Sequence, residues 1–337
     1  TSQFPSAVQS GILQRKGCLC YISTRHPVSP LVDKFENGRA SMMTPTIYGM
    51  FETKTGTWQY VIADTATTTA AIVDPVLDYD PVNQILTDRA ANSLVIFIKE
   101  TGLRVDKILE THIPEDHISA APYLQRWLSC DQGYIPPVCL GCRVKEHQGA
   151  VNHNEKVVHR EEYQGSCLKL LRDEETFNIG ELVVTAVHLP GHSPHHLGYK
   201  IGDNVLCGDT ILHPDIGTAR CDLPGGNAHE LFESCQRLLS LPDHVRIWPG
   251  HDSLPGGREP IAWMAVRDHK ERNKHLRSGI GKEEFVALRG QEDAGLAKSK
   301  NLHQQLQISL RAGRSSKSLI SGLQKPILSL NLESPHN

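Results

Sequence analysis

The chain is predicted to be an α/β protein, a four-layer αββα sandwich. Two observations point there. Strand-length apolar runs fall in two groups, one before residue 110 and one between residues 167 and 248, and each group is accompanied by helix-length segments. In addition, several strand ends run into Gly- or Pro-marked turns that carry His or Asp, as expected if one sheet edge collects polar ligands.

Taken in order, the compact part begins near Ser41. Ile47–Phe51, Trp58–Ile62 and Ala70–Val73 read as strands separated by Gly- and Thr-containing turns, and Asp74-Pro75 closes the third. Asp80-Pro81 offers an N-cap and a first-turn proline, so a helix carrying Ile85, Leu86, Ile96 and Phe97 is predicted to run to Gly102. Lys107–Glu110 reads as a buried strand and Ile118–Leu128 as the next helix. Residues 130–165 are polar, contain Pro136-Pro137 and show no sustained period, which predicts a long surface excursion forming a lid or substrate wall. Strands resume at Cys167–Leu171, Leu182–Val187, Gly198–Ile201 and Val205–Cys207. A helix over His229–Leu239 then precedes a strand over Val245–Trp248. The predicted organisation is an N-terminal extension over 1–40, one domain over 41–315 and a Ser- and Lys-rich tail over 316–337.

Bulk properties narrow the class. At 337 residues the chain buries a large core. A net charge of −3 supplies no basic field for nucleic acid. No apolar run approaches the roughly 18 to 20 residues of a spanning helix, so no membrane partner is expected. Nine scattered cysteines in so long a chain do not form a secreted disulfide framework and suit a reduced, intracellular compartment, cytoplasmic or mitochondrial. The first 32 residues contain Arg15, Lys16 and Arg25 with serines and no acidic side chain before Asp33, the composition of a presequence. The apolar positions there make a poor amphipathic helix, so an ordinary flexible terminus stays equally open. A homodimer is also left open.

The chemistry concentrates in four segments. Thr111-His112-Ile113-Pro114-Glu115-Asp116-His117 follows the strand at 107–110 and presents His112, Asp116 and His117 to one place. Leu189-Pro190-Gly191-His192-Ser193, Cys207-Gly208-Asp209-Thr210 and Trp248-Pro249-Gly250-His251-Asp252 add His192, Asp209 and His251 at further strand ends. A single histidine after glycine is usually a satisfied turn residue, but the four segments together, in this order and spacing, form a metal-ligand set. Imidazole and carboxylate donors suit iron, zinc or manganese, and calcium poorly.

This pattern resembles the His-x-His-x-Asp-His loop and partner motifs of the metallo-β-lactamase superfamily, with Pro114 at the position of the second histidine. The resemblance implies the αββα sandwich and, in hydrolytic members, two metals bridged by the carboxylate matching Asp209. Proline offers no donor atom, so one of those two sites is short by one ligand. The residues left are His112, His192 and Asp209, the two-imidazole, one-carboxylate set of non-haem Fe(II) oxygenases.

Three further stretches, Ser119–Leu124, Asp215–Gly226 and Leu306–Gly313, make roughly residues 45–315 similar to the persulfide dioxygenase branch and to the bacterial glyoxalase-like hydrolases beside it. That branch implies one Fe(II) on His112, His192 and Asp209. Its substrates are a glutathione-type persulfide and dioxygen, and its products are sulfite and a thiol. Asp116, His117 and His251 then orient the ligands or serve as second-site ligands. Arg220 either attracts an anionic thiol or forms a salt bridge with Asp222 or Asp215. The alternatives are a zinc-dependent thioester hydrolase similar to hydroxyacylglutathione hydrolase, and a binding protein with a degraded metal site.

Other motifs are weaker. Cys139-x-x-Cys142 lacks a second pair at zinc-site spacing, and Cys18-x-Cys20 carries even less. His195-His196 are expected to lead into the next strand, Cys207 to be a small buried strand residue, and Gly225-Gly226 a flexible loop.

Overall fold

The structure is a computed structural model that describes residues 33–35, 44–80, 85–114, 117–144 and 168–296. A seven-stranded sheet has the order β1-β2-β3-β4-β7-β9-β10, built from β1 (Asp33–Phe35), β2 (Thr46–Glu52), β3 (Thr57–Asp64), β4 (Thr69–Val73), β7 (Arg104–Leu109), β9 (Val138–Gly141) and β10 (Leu168–Leu171). A six-stranded sheet follows chain order: β11 (Thr176–Ile179), β12 (Leu182–His188), β13 (Leu197–Ile201), β14 (Asn204–Gly208), β15 (Arg246–Pro249) and β16 (Met264–Ala265). Three short strands, β5 (Val76–Asp80), β6 (Ile85–Thr87) and β8 (Ile118–Ser119), form a small third sheet. The helices are α1 (Arg89–Thr101), α2 (Ala121–Gln132), α3 (Ala228–Leu239), α4 (Val266–Arg272) and α5 (Lys282–Gly295).

The period-two alternation of strand side chains sorts these elements into four layers. On β3 and β4, Val61, Ala63, Ala70 and Ile72 face Ala91, Leu94 and Val95 of α1 and Leu124 and Leu128 of α2. Their neighbours Trp58, Tyr60, Ile62, Ala71 and Val73 face the opposite way, onto Phe177, Ile179, Val184, Ala186 and Tyr199 of the second sheet. On β14, Leu206 joins that inter-sheet core. Val205 and Cys207 turn outward onto Leu231, Cys235 and Leu238 of α3 and Phe285 of α5. The order is therefore helices, sheet, sheet, helices, the predicted αββα sandwich. Coverage of both faces explains why β3 and β4 are buried at every position rather than at alternate ones.

Several boundaries differ from the sequence reading. Ile85 and Leu86 belong to β6, paired with β5, so the helix starts at Arg89 and Asp80-Pro81 does not cap it. Ile118-Ser119 pairs with β5 before α2 begins, again shortening a predicted helix at its N-terminal end. Both are short apolar runs at which helix and strand periods cannot be told apart. Within the predicted excursion, Val138–Gly141 is strand β9, which pairs in parallel with both β7 and β10. The remainder of that excursion from residue 145, Glu115, Asp116 and the tail beyond residue 296 lie outside the described residues. Asp33–Phe35, inside the predicted extension, pairs antiparallel with β2.

Two buried tyrosines tie the sheets to the loops that carry the chemistry. Tyr60 on β3 donates its hydroxyl to Pro249 O at 2.7 Å, and Tyr199 on β13 donates to Glu110 O at 2.8 Å. Each phenol crosses from one sheet to the end of a strand on the other, fixing the backbone from which the loops at 111–114 and 250–252 leave. Burial, the largest cause, pushes both phenols well above the ordinary tyrosine range, so both stay protonated donors.

Candidate metal centre

His112 follows β7, His192 follows β12, Asp209 follows β14 and His251 follows β15, so the sandwich delivers all four to one edge. One donor atom each from His112, His192 and Asp209 lie within 4.8 Å of one another. Nε2 of each histidine is 3.9 Å from Asp209 Oδ2. Bonds of about 2.1 Å at facial or tetrahedral angles put the donor atoms of one ion roughly 3.0 to 3.4 Å apart. The three side chains surround a common point and would close by roughly an ångström onto an ion. All three residues are at most 8% exposed.

Hydrogen bonds fix which nitrogen each ligand histidine offers. His192 Nδ1 lies 2.9 Å from the Arg220 carbonyl oxygen, which only accepts, so Nδ1 carries the proton and Nε2 keeps its lone pair. His112 is set by a longer chain. Thr111 N–H and the Thr111 hydroxyl donate to Asp74 Oδ1 and Oδ2 at 2.7 and 2.9 Å. With its only proton committed to Asp74, the Thr111 oxygen accepts from His112 Nδ1 at 2.9 Å. Nε2 of His112 again keeps its lone pair and faces Asp209. Both histidines thus face Asp209 with lone pairs, each oriented through its other nitrogen, as metal-ligating histidines ordinarily are.

Electrostatics agree. Burial of Asp209 works against its ionisation, but the charge and hydrogen bond of His251 and the imidazoles of His112 and His192 outweigh it. The carboxyl is held well below the usual carboxylate range. Burial instead pushes Asp74 up to about 6, against the two hydrogen bonds from Thr111. Glu110, buried and accepting from Ser119 Oγ at 2.5 Å, is raised as well. Together with Thr57, Pro114, His117, Gly250, His251 and His112, these two carboxyls line a recess beside the triad.

The other predicted site residues separate clearly. His251 is beside the triad, with Nδ1 2.7 Å from Asp209 Oδ1 and Nε2 3.0 Å from Thr57 Oγ1. His117 is buried, its ring 6.0 Å from that of His251. Asp116 lies outside the described residues. Arg220 contributes its carbonyl to His192, while its guanidinium forks onto Asp222 with two 2.6 Å contacts. The other alternative, Asp215, is taken by Arg258, which also forks onto Asp252 next to His251 and pins that loop to the turn at 213–215.

Four contributors were missed in the sequence. Asp74 was read as the end of a strand and Thr111 as a neighbour of the ligand. His195 and His196 were expected only to enter the next strand, yet both are fully buried under the site. His195 Nε2 accepts Ile113 N–H at 2.9 Å. His196 stacks on the His112 ring at 4.9 Å and 18°, and its Nε2 accepts Asp209 N–H at 3.1 Å. Burial holds His196 neutral, and because that lone pair is spent on an amide it supports Asp209 rather than competing as a ligand. The sequence signal for these two was the doubled histidine three and four residues after His192. Cys207 is a buried strand residue as expected, its thiol pushed up to about 12 by burial.

Among the described residues, no helix is long and apolar enough to cross a membrane. Residues 53–251 match the model of the metallo-beta-lactamase superfamily. A beta-lactamase hydrolase-like protein of Xylella fastidiosa is 36% identical over 284 residues, covering 82% of this chain and 62% of that protein, so the chain spans less than two thirds of that relative. Glyoxylase B2 of Dictyostelium discoideum is 36% identical over 266 residues, covering 78% of this chain and 89% of its own length. Among solved structures, ETHE1 from Myxococcus xanthus superposes with a TM-score of 0.61 at 24% identity, over 80% of this chain and 99% of that one, a likeness of fold. The chain belongs to the metallo-beta-lactamase superfamily.

Proposed function

We propose that this member of the superfamily is a mononuclear iron enzyme that oxidises the outer sulfur of a small thiol persulfide of the glutathione type. The observation that carries the reading is the donor set. Two lone-pair-bearing imidazoles and one ionised carboxylate converge, and Pro114 occupies the place from which a further imidazole would come. Two imidazoles and a carboxylate on one face leave positions open for substrate and dioxygen, the arrangement of non-haem Fe(II) oxygenases. Bound Fe(II) would supply the electrons for activating dioxygen.

The protein's own part is geometric. Arg220 O and Thr111 Oγ1 keep His112 and His192 in the ligating tautomer, and His196 and His251 hold Asp209 from two sides. The recess beside the triad is walled by Pro114, His117 and Gly250.

The second reading is a metal-dependent thioester hydrolase. It draws on the names of the relatives, a beta-lactamase hydrolase-like protein and a glyoxylase. The two separate in one experiment. Aliquots loaded with Fe(II) under anaerobic conditions, or with Zn(II), are assayed for oxygen uptake and sulfite release with glutathione persulfide, and for thioester cleavage with an acylated glutathione. Oxygen uptake by the iron form with no thioester cleavage by either form is the expected result. Thioester cleavage by the zinc form, with no oxygen uptake by the iron form, would establish the hydrolase instead.

A further inference from the structure

We infer that Asp293, on α5, is a positioning residue for the metal centre: it holds the Arg220–Cys221 peptide unit so that its carbonyl stays on Nδ1 of His192. The inference rests on the reading of His112, His192 and Asp209 as the ligand set, and it gives that set a support from beyond residues 53–251, the stretch that matches the superfamily model.

Phe285, Arg289 and Asp293 are spaced four residues apart and lie along one side of α5. Phe285 is the apolar anchor, buried in the core with Leu231, Leu238 and Leu276. Arg289 is 4% exposed and the Asp293 side chain 10%, and the two are paired, with Arg289 Nε 3.0 Å and Nη2 2.9 Å from Asp293 Oδ1. A helix that needed only to be fastened down would gain more from apolar residues there, because a buried ion pair contributes little net stability once both charges are desolvated. The pair is directed instead at the backbone of 218–221. Arg289 Nη1 donates to Thr218 O at 3.1 Å, and Asp293 Oδ2 accepts Cys221 N–H at 3.0 Å.

The second of these contacts reaches His192. Cys221 N–H and Arg220 C=O belong to one planar trans peptide, so they point in opposite directions and turn together. Asp293 holds one side of that unit, and His192 Nδ1, 2.9 Å from Arg220 O, meets the other. Any rotation that carries the carbonyl off His192 must break the Asp293 contact. A carboxylate on the N–H also polarises the peptide and makes its carbonyl a stronger acceptor. The rest of the segment is gripped from the stretch between α4 and α5: Asn273 Nδ2 donates to Gly217 O at 3.0 Å, and His275 Nδ1 accepts Thr218 N–H at 3.1 Å. Gly217 sits at φ +96°, and a Cβ there would stand 2.2 Å from His275 Nδ1, so this close approach requires glycine.

The test uses the full chain with Co(II), whose visible absorption reports ligand geometry, with affinity measured by chelator competition and folding by urea unfolding. Asp293→Ala should bind Co(II) at least about 10-fold more weakly, with an altered band, as for the loss of an orienting partner. Asp293→Asn should recover most of the affinity and the wild-type band while still unfolding at lower urea. Its amide oxygen can accept Cys221 N–H, and Arg289 keeps Glu292 and Thr218 O as partners, so only the ion pair is lost. Phe285→Leu loosens α5 without touching the peptide, so it should lower stability and leave affinity and band unchanged. Equal losses of affinity in Asp293→Ala and Phe285→Leu would overturn the inference, because helix docking alone would explain them. Wild-type binding by a folded Asp293→Ala, or equal weakness of Asp293→Asn and Asp293→Ala, would overturn it too. His192→Ala keeps the two claims apart: if it retains the wild-type Co(II) band, the ligand assignment fails, whereas if it loses the band and Asp293→Ala leaves it unmoved, the role of Asp293 fails alone.

Discussion

Replacing Asp74 tests the idea that hydrogen-bond polarity, relayed through Thr111, decides whether His112 can bind a metal. Asp74 sits at φ +48°, a conformation asparagine tolerates well, so Asp74→Asn leaves the turn intact. Its amide oxygen still accepts Thr111 N–H, but its NH₂ now faces Thr111 Oγ1 as a donor where the carboxylate accepted. The Thr111 proton must then turn toward His112 Nδ1, which moves the imidazole proton to Nε2, the atom that faces Asp209. Metal affinity should fall about 10- to 100-fold, the usual cost of losing an orienting partner, or about 1.4 to 2.8 kcal/mol. Folding stability should change by less than the cost of a lost cap or cavity. Asp74→Ala removes both acceptors and leaves Thr111 N–H buried without a partner, which costs about 1 to 3 kcal/mol, with further strain at a positive φ. The two variants are compared by chelator competition for metal affinity and by urea unfolding for stability. An Asp74→Asn protein that binds metal as tightly as wild type would refute the relay.

Further outcomes follow from the same geometry. His192→Ala and Asp209→Ala should each lower metal affinity by more than the roughly 100-fold that a supporting residue costs, checked by the same competition assay. Gly208→Ala should lose metal and about 2 to 4 kcal/mol of stability in urea melts, because φ is +49° there and the new Cβ would stand 2.4 Å from Thr111 Oγ1. Asp74, raised by burial to about 6, makes the folded metal-free protein hold a proton that the unfolded chain releases near pH 4. Its contribution to stability is therefore complete below about pH 4 and is lost as pH rises to about 6, on the order of 2 to 3 kcal/mol. Wild type should lose stability relative to Asp74→Asn across that window in urea melts at each pH, and parallel curves would contradict it.

The layer order and the four ligand turns were legible because they depend on local signals. Apolar alternation in Trp58–Ile62 and Ala70–Val73 announced strands, and Gly191, Gly208 and Gly250 marked the turns after them. What stayed hidden depends on partners distant in sequence. Nothing around Val138–Gly141 announces a strand, because its strand character comes from insertion between β7 and β10. Asp74 and Thr111 are 37 residues apart, and only the parallel pairing of β4 with β7 brings them together. Thr57 and His251 are 194 residues apart, joined by a hairpin from one sheet reaching a loop of the other. Helices α4 and α5 were unread because their apolar faces are thin; α5 buries only Phe285 and Arg289. Arg289 nonetheless donates to Thr218 O at 3.1 Å, anchoring the segment whose Arg220 carbonyl orients His192.

Residue type alone would have made the site larger than it is. Six histidines, His112, His117, His192, His195, His196 and His251, are gathered at or below one sheet edge, and each could be counted as a ligand. The partner on the remaining nitrogen divides four of them. A carbonyl or a proton-spent hydroxyl on Nδ1 leaves the lone pair on Nε2 in His192 and His112. An amide donor on Nε2 consumes the lone pair of His196, and another does the same to His195. Whether an imidazole can serve as a ligand therefore depends on the orientation of a few hydroxyls and amides, each set by a residue that is not itself a ligand. Residue type alone overcounts the ligands, because His195 and His196 lie under the site and yet spend their Nε2 lone pairs on backbone N–H groups.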